Sequence, residues 1–266
     1  MSLEIIKELR EKTGAGMVDC QKALKESDND LEKAIEFLRK KGIAKAAKRG
    51  DREANEGIIK IDVNAEGTEA YILEVNSETD FVARNEKFQN LVDQILELIK
   101  TERPSDLDAL NVLTLDGSSV KDVVDNLSGV IGEKLEIKHF AILSGGTVAA
   151  YSHLGGRIGV LVALDQANQK DLAMDIAMQI AAANPKCIRS EELAAEEVEK
   201  EKAIYREQLV QEGKPENMIE KILEGKVAKY YEEVCLLNQE FIKDDKKKVK
   251  DVLGDVKVEK FIRYSL

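Results

Sequence analysis

The sequence predicts an α+β protein: three short helices, then two related sheet-and-helix units that form a core, with a helical hairpin projecting from it. Three observations predict this arrangement. Apolar residues recur every three or four positions in residues 1–50, alternate with polar residues from Glu56 onward, and return to helical spacing in residues 190–234. The changes of period place the predicted domain boundaries.

The first 50 residues contain three amphipathic helical patterns. Their apolar positions are Ile5, Ile6 and Leu9, then Cys20, Ala23 and Leu24, then Leu31, Ile35 and Leu38. Gly14 and Gly16 separate the first two patterns, and Asn29 and Glu32 have capping-box spacing before the third. We therefore expect a small three-helix domain over residues 1–50.

A basic stretch follows, with seven basic residues and one acid between Arg39 and Arg52. Little apolar surface accompanies these charges, which predicts a solvated, mobile tether that ends at about residue 55. A nucleic-acid patch is the less favoured interpretation, because no aromatic residues are interleaved with the cations.

Residues 56–136 are predicted to form the first core unit. "GIIKIDV" and "TEAYILEV" alternate as the strands of a hairpin, and Gly67 supplies the positive φ that the tight turn needs. Asn85 is the predicted N-cap of a helix with an apolar face of Phe88, Val92, Ile95 and Ile99. "SVKDVVDNLSGVIGEKL" predicts a further helix packed on the sheets.

The same pattern recurs about 80 residues later and predicts a second unit over residues 137–189 and 235–266. Its strands are "EIKHFAIL", "TVAAYSHLG" and "RIGVLVALD", with a turn at Gly145 and Gly146. A helix follows, with Leu172, Ile176, Ile180 and Ala183 on one face. The final "VEKFIRYSL" is predicted to be a strand that rejoins a sheet.

Residues 190–234 are rich in Glu and Lys and keep apolar positions at spacings of three, four and seven. Gly213 after the first helix and Pro215 at the start of the second predict an antiparallel helical hairpin. Two interpretations of this arm stay open: a surface for a partner or for self-association, or a stable excursion kept in solution by its charges.

Composition excludes several function classes. Forty basic and 51 acidic residues give a net charge of −11, which opposes binding along a phosphate backbone. Residues 1–16 have no uninterrupted apolar core, and no apolar run reaches 18 residues, so we expect neither a signal peptide nor a membrane span. Cys20, Cys187 and Cys235 lack paired spacing, which favours reduced thiols in the cytoplasm.

No enzyme signature is present in the sequence. His139 and His153 lie inside strand patterns, and Cys20 and Cys187 are expected to be small buried residues. The glycine pairs lack the Gly-Lys-Ser/Thr of a phosphate loop, and the carboxylates lack metal-ligand spacing. We expect no catalytic residue, no metal and no cofactor.

The connection "TDFVARN" is unusual, because it places Phe81 and Val82 in a short polar segment between a strand and a helix. An exposed aromatic residue on a rigidly held loop is a candidate contact residue. From the residues alone, an outward Phe81 and a ring folded back into the strand-to-helix corner are about equally favoured.

Three motifs carry a resemblance: "ELREKTGAGMVDCQKALKES", "EVNSETDFVARN" and "HLGGRIGVLV". In this order they resemble the bacterial elongation factor Ts family, and the similarity runs from Leu3 to Tyr264. The resemblance implies an N-terminal ubiquitin-associated-like (UBA-like) three-helix domain, a core of two α/β subdomains with antiparallel sheets, and a projecting coiled coil.

The resemblance also implies guanine-nucleotide exchange on elongation factor Tu (EF-Tu), without direct nucleotide binding. Family members insert the Asp and Phe of this loop between helices of the GTPase and disturb its Mg²⁺ site; the matching residues are Thr79, Asp80, Phe81 and Val82. The competing hypothesis is a UBA-like adaptor or chaperone that binds proteins without affecting nucleotide.

Further partner contacts are implied at matching positions, which are Arg10, Met17, Val18, Ile131 and Gly132. Val18 stands where many relatives have a second Met. The family's Gln-Pro-Phe element is Gln239, Glu240 and Phe241 here, so the stiffness of the proline is lost.

Overall fold

The structure is a computed structural model that describes residues 2–266. Its α-helices are Leu3–Thr13 (α1), Met17–Glu26 (α2), Leu31–Ala47 (α3), Asp80–Ala83 (α4), Glu86–Glu102 (α5), Leu107–Val112 (α6), Val120–Ile131 (α7), Lys170–Ala183 (α8), Ala195–Gln211 (α9), Glu216–Val234 (α10) and Val249–Leu253 (α11). Its strands are Glu56–Val63 (β1), Glu69–Ser77 (β2), Thr114–Leu115 (β3), Ser118–Ser119 (β4), Leu135–Ser144 (β5), Thr147–His153 (β6), Ile158–Leu164 (β7), Glu240–Phe241 (β8), Asp244–Lys248 (β9) and Val258–Ser265 (β10). The predicted α+β class is confirmed.

Two three-stranded antiparallel sheets form the core, in the orders β1-β2-β5 and β10-β7-β6. Alternate residues of each strand face the other sheet, and Ile59, Ile72 and Leu161 belong to one apolar cluster between the sheets. Gly159 permits the close approach, because a Cβ there would lie 2.4 Å from Cγ2 of Ile59. The sheets therefore share one core.

The strand β5 corrects the predicted subdomain boundary at residue 136. β5 pairs with β2 from Leu135↔Ser77 to Ser144↔Glu69, so it completes the first sheet and not the second. The alternation of "EIKHFAIL" predicts a strand but carries no information about its partner. The change from one sheet to the other falls at the turn Gly145–Gly146.

Amphipathic helices cover the outer faces of both sheets, as predicted. On the first sheet, Phe88, Val92 and Ile99 of α5 are fully buried against odd-numbered residues of β2 such as Leu73. The Asn85 side chain caps α5 by accepting hydrogen bonds from the amides of Lys87 and Phe88. On the second sheet, α8 packs its apolar face in the same way.

The predicted tether is wrong over residues 39–47, which continue α3. The physical reason is small side chains: Gly42 of α3 lies against α7, where a Cβ on Gly129 would be 2.5 Å from Cα of Gly42. Two backbones this close make extensive van der Waals contact without large apolar side chains. The spacing of apolar residues therefore does not reveal that these two helices pack together. The three-helix segment is therefore docked on the core through α3 and α7.

Several cations of this stretch have partners within the chain. Lys41 and Lys45 both contact the carboxylate of Asp19, at 2.6 and 3.0 Å, and Arg49 donates to the carbonyl of Ser128 at 3.2 Å. The hydrogen bond from Lys41, followed by that from Lys45, lowers the pKa of Asp19. Lys41 and Lys45 thus hold α3 to α2, and Arg49 holds the end of α3 to α7.

The start of α3 also differs from the prediction. Asp30, not Asn29, is its N-cap and accepts from the amide of Lys33 at 3.1 Å. Asn29 has a φ of 62° and belongs to the preceding turn. Three adjacent candidate residues in "DND" made the cap position ambiguous in the sequence.

The helices α9 and α10 form an antiparallel arm joined by a tight turn, with Gly213 at φ 71° and Pro215 as the N-cap of α10. Between the helices are buried Val198, Leu209, Ile219, Leu223 and Tyr230. At the base, Lys186 and Tyr230 both donate to Glu197. None of the helices within residues 2–266 combines the length and apolar character required to cross a membrane.

Glu74 is a buried carboxyl group in the central strand β2, with 5% of its surface exposed. It lines a cavity of about 590 Å³ at the polar end of the space between the sheets, with His139 and Tyr264. Burial raises the pKa of Glu74, and the proximity of His139 offsets only part of this effect. Ionisation of Glu74 is therefore less favourable in the folded protein than in the unfolded chain, and it lowers the free energy of unfolding.

We expect Glu74→Gln to increase the free energy of unfolding at neutral pH. The pKa of Glu74 is higher in the folded state than in the unfolded state. Neutral Glu74 therefore contributes its full stability below the unfolded-state pKa, and this contribution is lost as the pH rises through the folded-state pKa. The gain should shrink toward about pH 4, near the ordinary carboxyl pKa. Urea unfolding at both pH values measures this; Glu66→Gln, at an exposed position in the β1–β2 turn, is the control.

We expect Gly129→Ala to destabilise the protein by about 1–3 kcal/mol, because its Cβ would collide with the backbone of Gly42. Gly225→Ala is the matched change, since Gly225 lies in α10 with no atom within 4 Å of the added methyl. It should stabilise by about 0.5–1 kcal/mol through helix propensity. Urea midpoints of the two variants must move in opposite directions; equal shifts would contradict the close α3–α7 packing.

Candidate functional site

The segment Thr79–Val82 lies between β2 and α5, where Thr79 is the N-cap of the single helical turn α4. Phe81 is 80% exposed, whereas Val82 is 6% exposed and belongs to the core cluster of the first sheet. Successive residues of a helical turn point about 100° apart, so burying Val82 turns Phe81 outward. Of the two orientations left open by the sequence, the structure has the outward one.

The start of this turn is held by Glu133. The amide and hydroxyl of Thr79 donate to the two carboxylate oxygens of Glu133, at 3.0 and 2.8 Å. The Ser77 hydroxyl donates to the carbonyl of Thr79 at 2.9 Å. Hydrogen bonds to a carboxylate are among the stronger ones in proteins, so the backbone that carries Phe81 has one fixed geometry at its N-terminal side.

A second connection lies one residue earlier. The carboxylate of Glu78 accepts from the amide of Lys134 at 2.6 Å and from the Arg52 guanidinium at 3.2 Å. The amide of Lys134 is the larger cause, followed by Arg52, of a lowered pKa for Glu78. Glu78 and Thr79 are thereby bonded to Glu133 and Lys134, and these four residues form the platform that carries Phe81.

Asp80 is more loosely engaged than Thr79. Its carboxylate forms a surface ion pair with Arg84 at 2.9 Å, and 43% of its side chain is exposed. A surface ion pair of this kind contributes about 0–1 kcal/mol. The carboxylate of Asp80 is accordingly free to exchange Arg84 for a group on another molecule.

Two of the other predicted contact residues, Ile131 and Gly132, adjoin this platform, and the rest lie on α1 and α2. Ile131 ends α7, and Gly132, at φ 94°, is its left-handed cap immediately before Glu133. Gly16, just before Met17, lines the same cleft of about 350 Å³ as Gly132. Met17 and Val18 are 49% and 78% exposed, and Arg10 is exposed on α1.

The Gln239–Glu240–Phe241 element lies elsewhere. Gln239 is 4% exposed and donates to the carbonyls of Glu233 and Ala183, while Phe241 is 6% exposed in the core of the second sheet. The side-chain amide of Gln179 donates to Oε1 of Gln239 and to the carbonyl of Glu240, and these bonds hold the segment in place of a proline ring. These side chains join the arm to the core.

The remaining candidate residues are dispersed. His139 and His153 lie on strands of different sheets, with Tyr264 and Tyr151 as respective neighbours. All three cysteines are buried. Within the described residues, 2–266, no group of three or more His, Cys, Asp or Glu side chains could hold a metal ion.

The sequence did not identify Glu133, Lys134 or Arg52 as part of the site. Glu133 lies 54 residues from Thr79 along the chain, and neither residue belongs to a motif that relates them. The only local signal was the position of Glu133 just after a predicted helix, which is too common to be specific. Long-range hydrogen bonds of this kind become visible only in the fold.

The fold and site define a class of α+β protein that exposes one aromatic side chain on a rigid turn, beside a docked three-helix segment and a helical arm. The family model described as Elongation factor TS matches residues 78–266, more than two thirds of the chain. The chain belongs to this family of translation factors, which work with EF-Tu. The match includes the Phe81 turn, Ile131 and Gly132; Arg10, Met17 and Val18 precede it.

We expect Glu133→Ala to speed amide hydrogen exchange at residues 79–82 by about 10-fold or more, because a hydrogen bond to a charged group contributes about 1.5–3 kcal/mol. Glu136→Ala is the control, since Glu136 pairs with Lys134 at 3.0 Å and has no bond to Thr79. Unchanged exchange in Glu133→Ala would show that the carboxylate does not hold the turn.

Proposed function

We propose that this chain is a guanine-nucleotide exchange factor for EF-Tu, and that the Phe81 turn promotes release of GDP. The observation that carries the proposal is the 80% exposure of Phe81 on a turn anchored by Glu133 and Glu78. An aromatic ring buries a large area with few rotatable bonds, so on a rigid platform it loses little entropy when it enters a pocket.

In this mechanism the ring of Phe81 is inserted between helices of the GTPase, while Asp80 exchanges Arg84 for a donor on the partner. The Mg²⁺ that is disturbed belongs to the partner's nucleotide site. Thermodynamic linkage requires that GDP and this chain weaken each other's binding by the same factor. Exchange then proceeds through a transient ternary complex, and incoming GTP displaces the factor.

No covalent bond is made or broken in this scheme, so the chain is proposed not to be an enzyme and to need no cofactor. The net charge of −11 favours a protein partner over a phosphate backbone. The contacts of Lys41, Lys45, Arg49 and Arg52 within the chain also leave the basic stretch less available to nucleic acid. Its proposed location is the cytoplasm, with EF-Tu.

A second candidate function is a UBA-like adaptor or chaperone without exchange activity. The observation that favours it is the exposed apolar surface on the three-helix segment, where Leu3 is 69% and Val18 78% exposed. Under the exchange proposal, Met17 and Val18 instead extend the contact made by Phe81. The two functions differ in one measurable effect, acceleration of nucleotide release.

We expect Phe81→Ala to fold normally but to slow stimulated GDP release. Truncation of a buried aromatic anchor costs about 2 kcal/mol or more, roughly 30-fold in affinity for the partner. The measurement is release of fluorescent GDP from purified EF-Tu with a limiting amount of the chain. Circular dichroism and urea unfolding check that the variant retains the fold.

Val112→Ala is the matched control. Val112 is 74% exposed on α6, near the start of α7. Glu133 follows the end of α7, which lies about 18 Å from its start along the helix axis. It should release GDP at the unmodified rate. Full activity of Phe81→Ala would reject the aromatic insertion, and no acceleration by the unmodified chain would favour the adaptor.

A further inference from the structure

Two of the three cysteines lie side by side at the base of the helical arm. The thiol of Cys187 donates to Sγ of Cys235, and the two sulfur atoms are 3.5 Å apart although the residues are 48 positions apart in sequence. Cys187 is 8% and Cys235 0% exposed. The sequence spacing favoured reduced, unpaired thiols, so this contact becomes visible only in the fold.

The backbone holds the two cysteines in a geometry suited to a covalent bond. Cys187 and Cys235 are partners in an isolated parallel bridge, flanked by hydrogen bonds from Lys186 to Val234 and from Leu236 to Cys187 at 2.8 and 2.9 Å. Paired backbones of this kind lie about 4.8 Å apart. Disulfides span roughly 4.4–6.8 Å between Cα atoms, so side-chain rotation alone brings the sulfurs to about 2 Å.

The position of the pair gives such a bond a structural effect. Cys187 precedes the arm by a few residues, and Cys235 is the C-cap of α10, where the chain returns to the core. We propose that Cys187 and Cys235 form a reversible intramolecular disulfide that closes the base of the arm when the protein meets a disulfide oxidant such as oxidised glutathione. This modification is independent of the Phe81 turn.

The chemistry is thiol–disulfide exchange. One cysteine thiolate attacks the oxidant's sulfur–sulfur bond and releases one glutathione thiolate; the second cysteine thiolate then displaces the other. The two protein thiols together lose two protons and two electrons, and the oxidant becomes two thiols. No metal or further reactant is needed.

Burial makes this reaction slow at neutral pH. Burial, followed by the hydrogen bond with Cys235, raises the pKa of Cys187 to about 12, and burial also raises the pKa of Cys235. Nearby carboxylates, Glu191, Glu192 and Glu197, act in the same direction. A small thiolate fraction limits the attack, so the pair responds to sustained oxidation rather than to brief exposure.

Cys20 provides an internal comparison. It is fully buried between the N-terminal helices, and its thiol donates to the carbonyl of Ala15 at 3.6 Å. Cys187 and Cys235 instead adjoin Ile188 and Leu236, which belong to the core of the second sheet. Under the proposal, oxidation removes two thiols and spares Cys20.

The test uses the full chain, fully reduced and freed of reductant. It is incubated with oxidised glutathione in buffer and, separately, in urea just below the unfolding transition, so that access to the buried sulfurs does not limit the result. Thiols are then counted under denaturing conditions. We expect the count to fall from three to one, with a mass loss of about 2 Da.

Tryptic peptides identify the bond: residues 187–189 should be joined to residues 230–243 and separate after reduction. Cys20→Ser should still lose two thiols, and Cys235→Ser should form no intramolecular bond. Three remaining thiols in both incubations, a bond to Cys20, a dimer, or stable glutathione adducts in the unmodified chain would each overturn the proposal.

Discussion

The pair of hydrogen bonds between Glu133 and Thr79 is the interaction on which the orientation of the Phe81 turn depends. It joins the end of α7 to the end of β2, two elements that are distant in sequence, and leaves Phe81 no inward alternative once Val82 is buried. A single exposed apolar side chain is normal on a protein surface, but at 80% exposure nearly the whole ring of Phe81 is available for contact. Here the surrounding hydrogen bonds keep that exposure localised to one side chain on a fixed frame.

The same helix α7 also positions the three-helix segment. Gly129 receives Gly42 on one side of α7, while Glu133 beyond its C-terminal end holds the Phe81 turn. The positions of Met17 and Val18 relative to that turn are therefore set by α7 and by its close contact with α3. Residues from separate parts of the chain are thereby held in a fixed spatial relation to one another.

Much of the architecture was predictable because it depends on local periodicity. The apolar face of α5, the Asn85 cap, the Gly67 turn and the arm turn at Gly213 and Pro215 all follow from spacing and backbone preference. The partner of β5 and the docking of residues 39–47 were not predictable, since strand pairing and glycine-mediated contact leave no periodic trace. The apolar pair in the polar connection "TDFVARN" and the family resemblance both indicated Phe81, whereas Glu133 emerged only from three-dimensional contacts.

The close approach of the two sheets at Gly159 has a consequence for how the chain folds. Ile59 and Ile72 from one sheet and Leu161 from the other are buried by each other, so neither half completes its hydrophobic core alone. The two sheets consequently melt as one cooperative body. A substitution that destabilises the first sheet therefore also destabilises the half that bears the arm. If the chain were divided at the Gly145–Gly146 turn, each piece would expose an apolar sheet face to water.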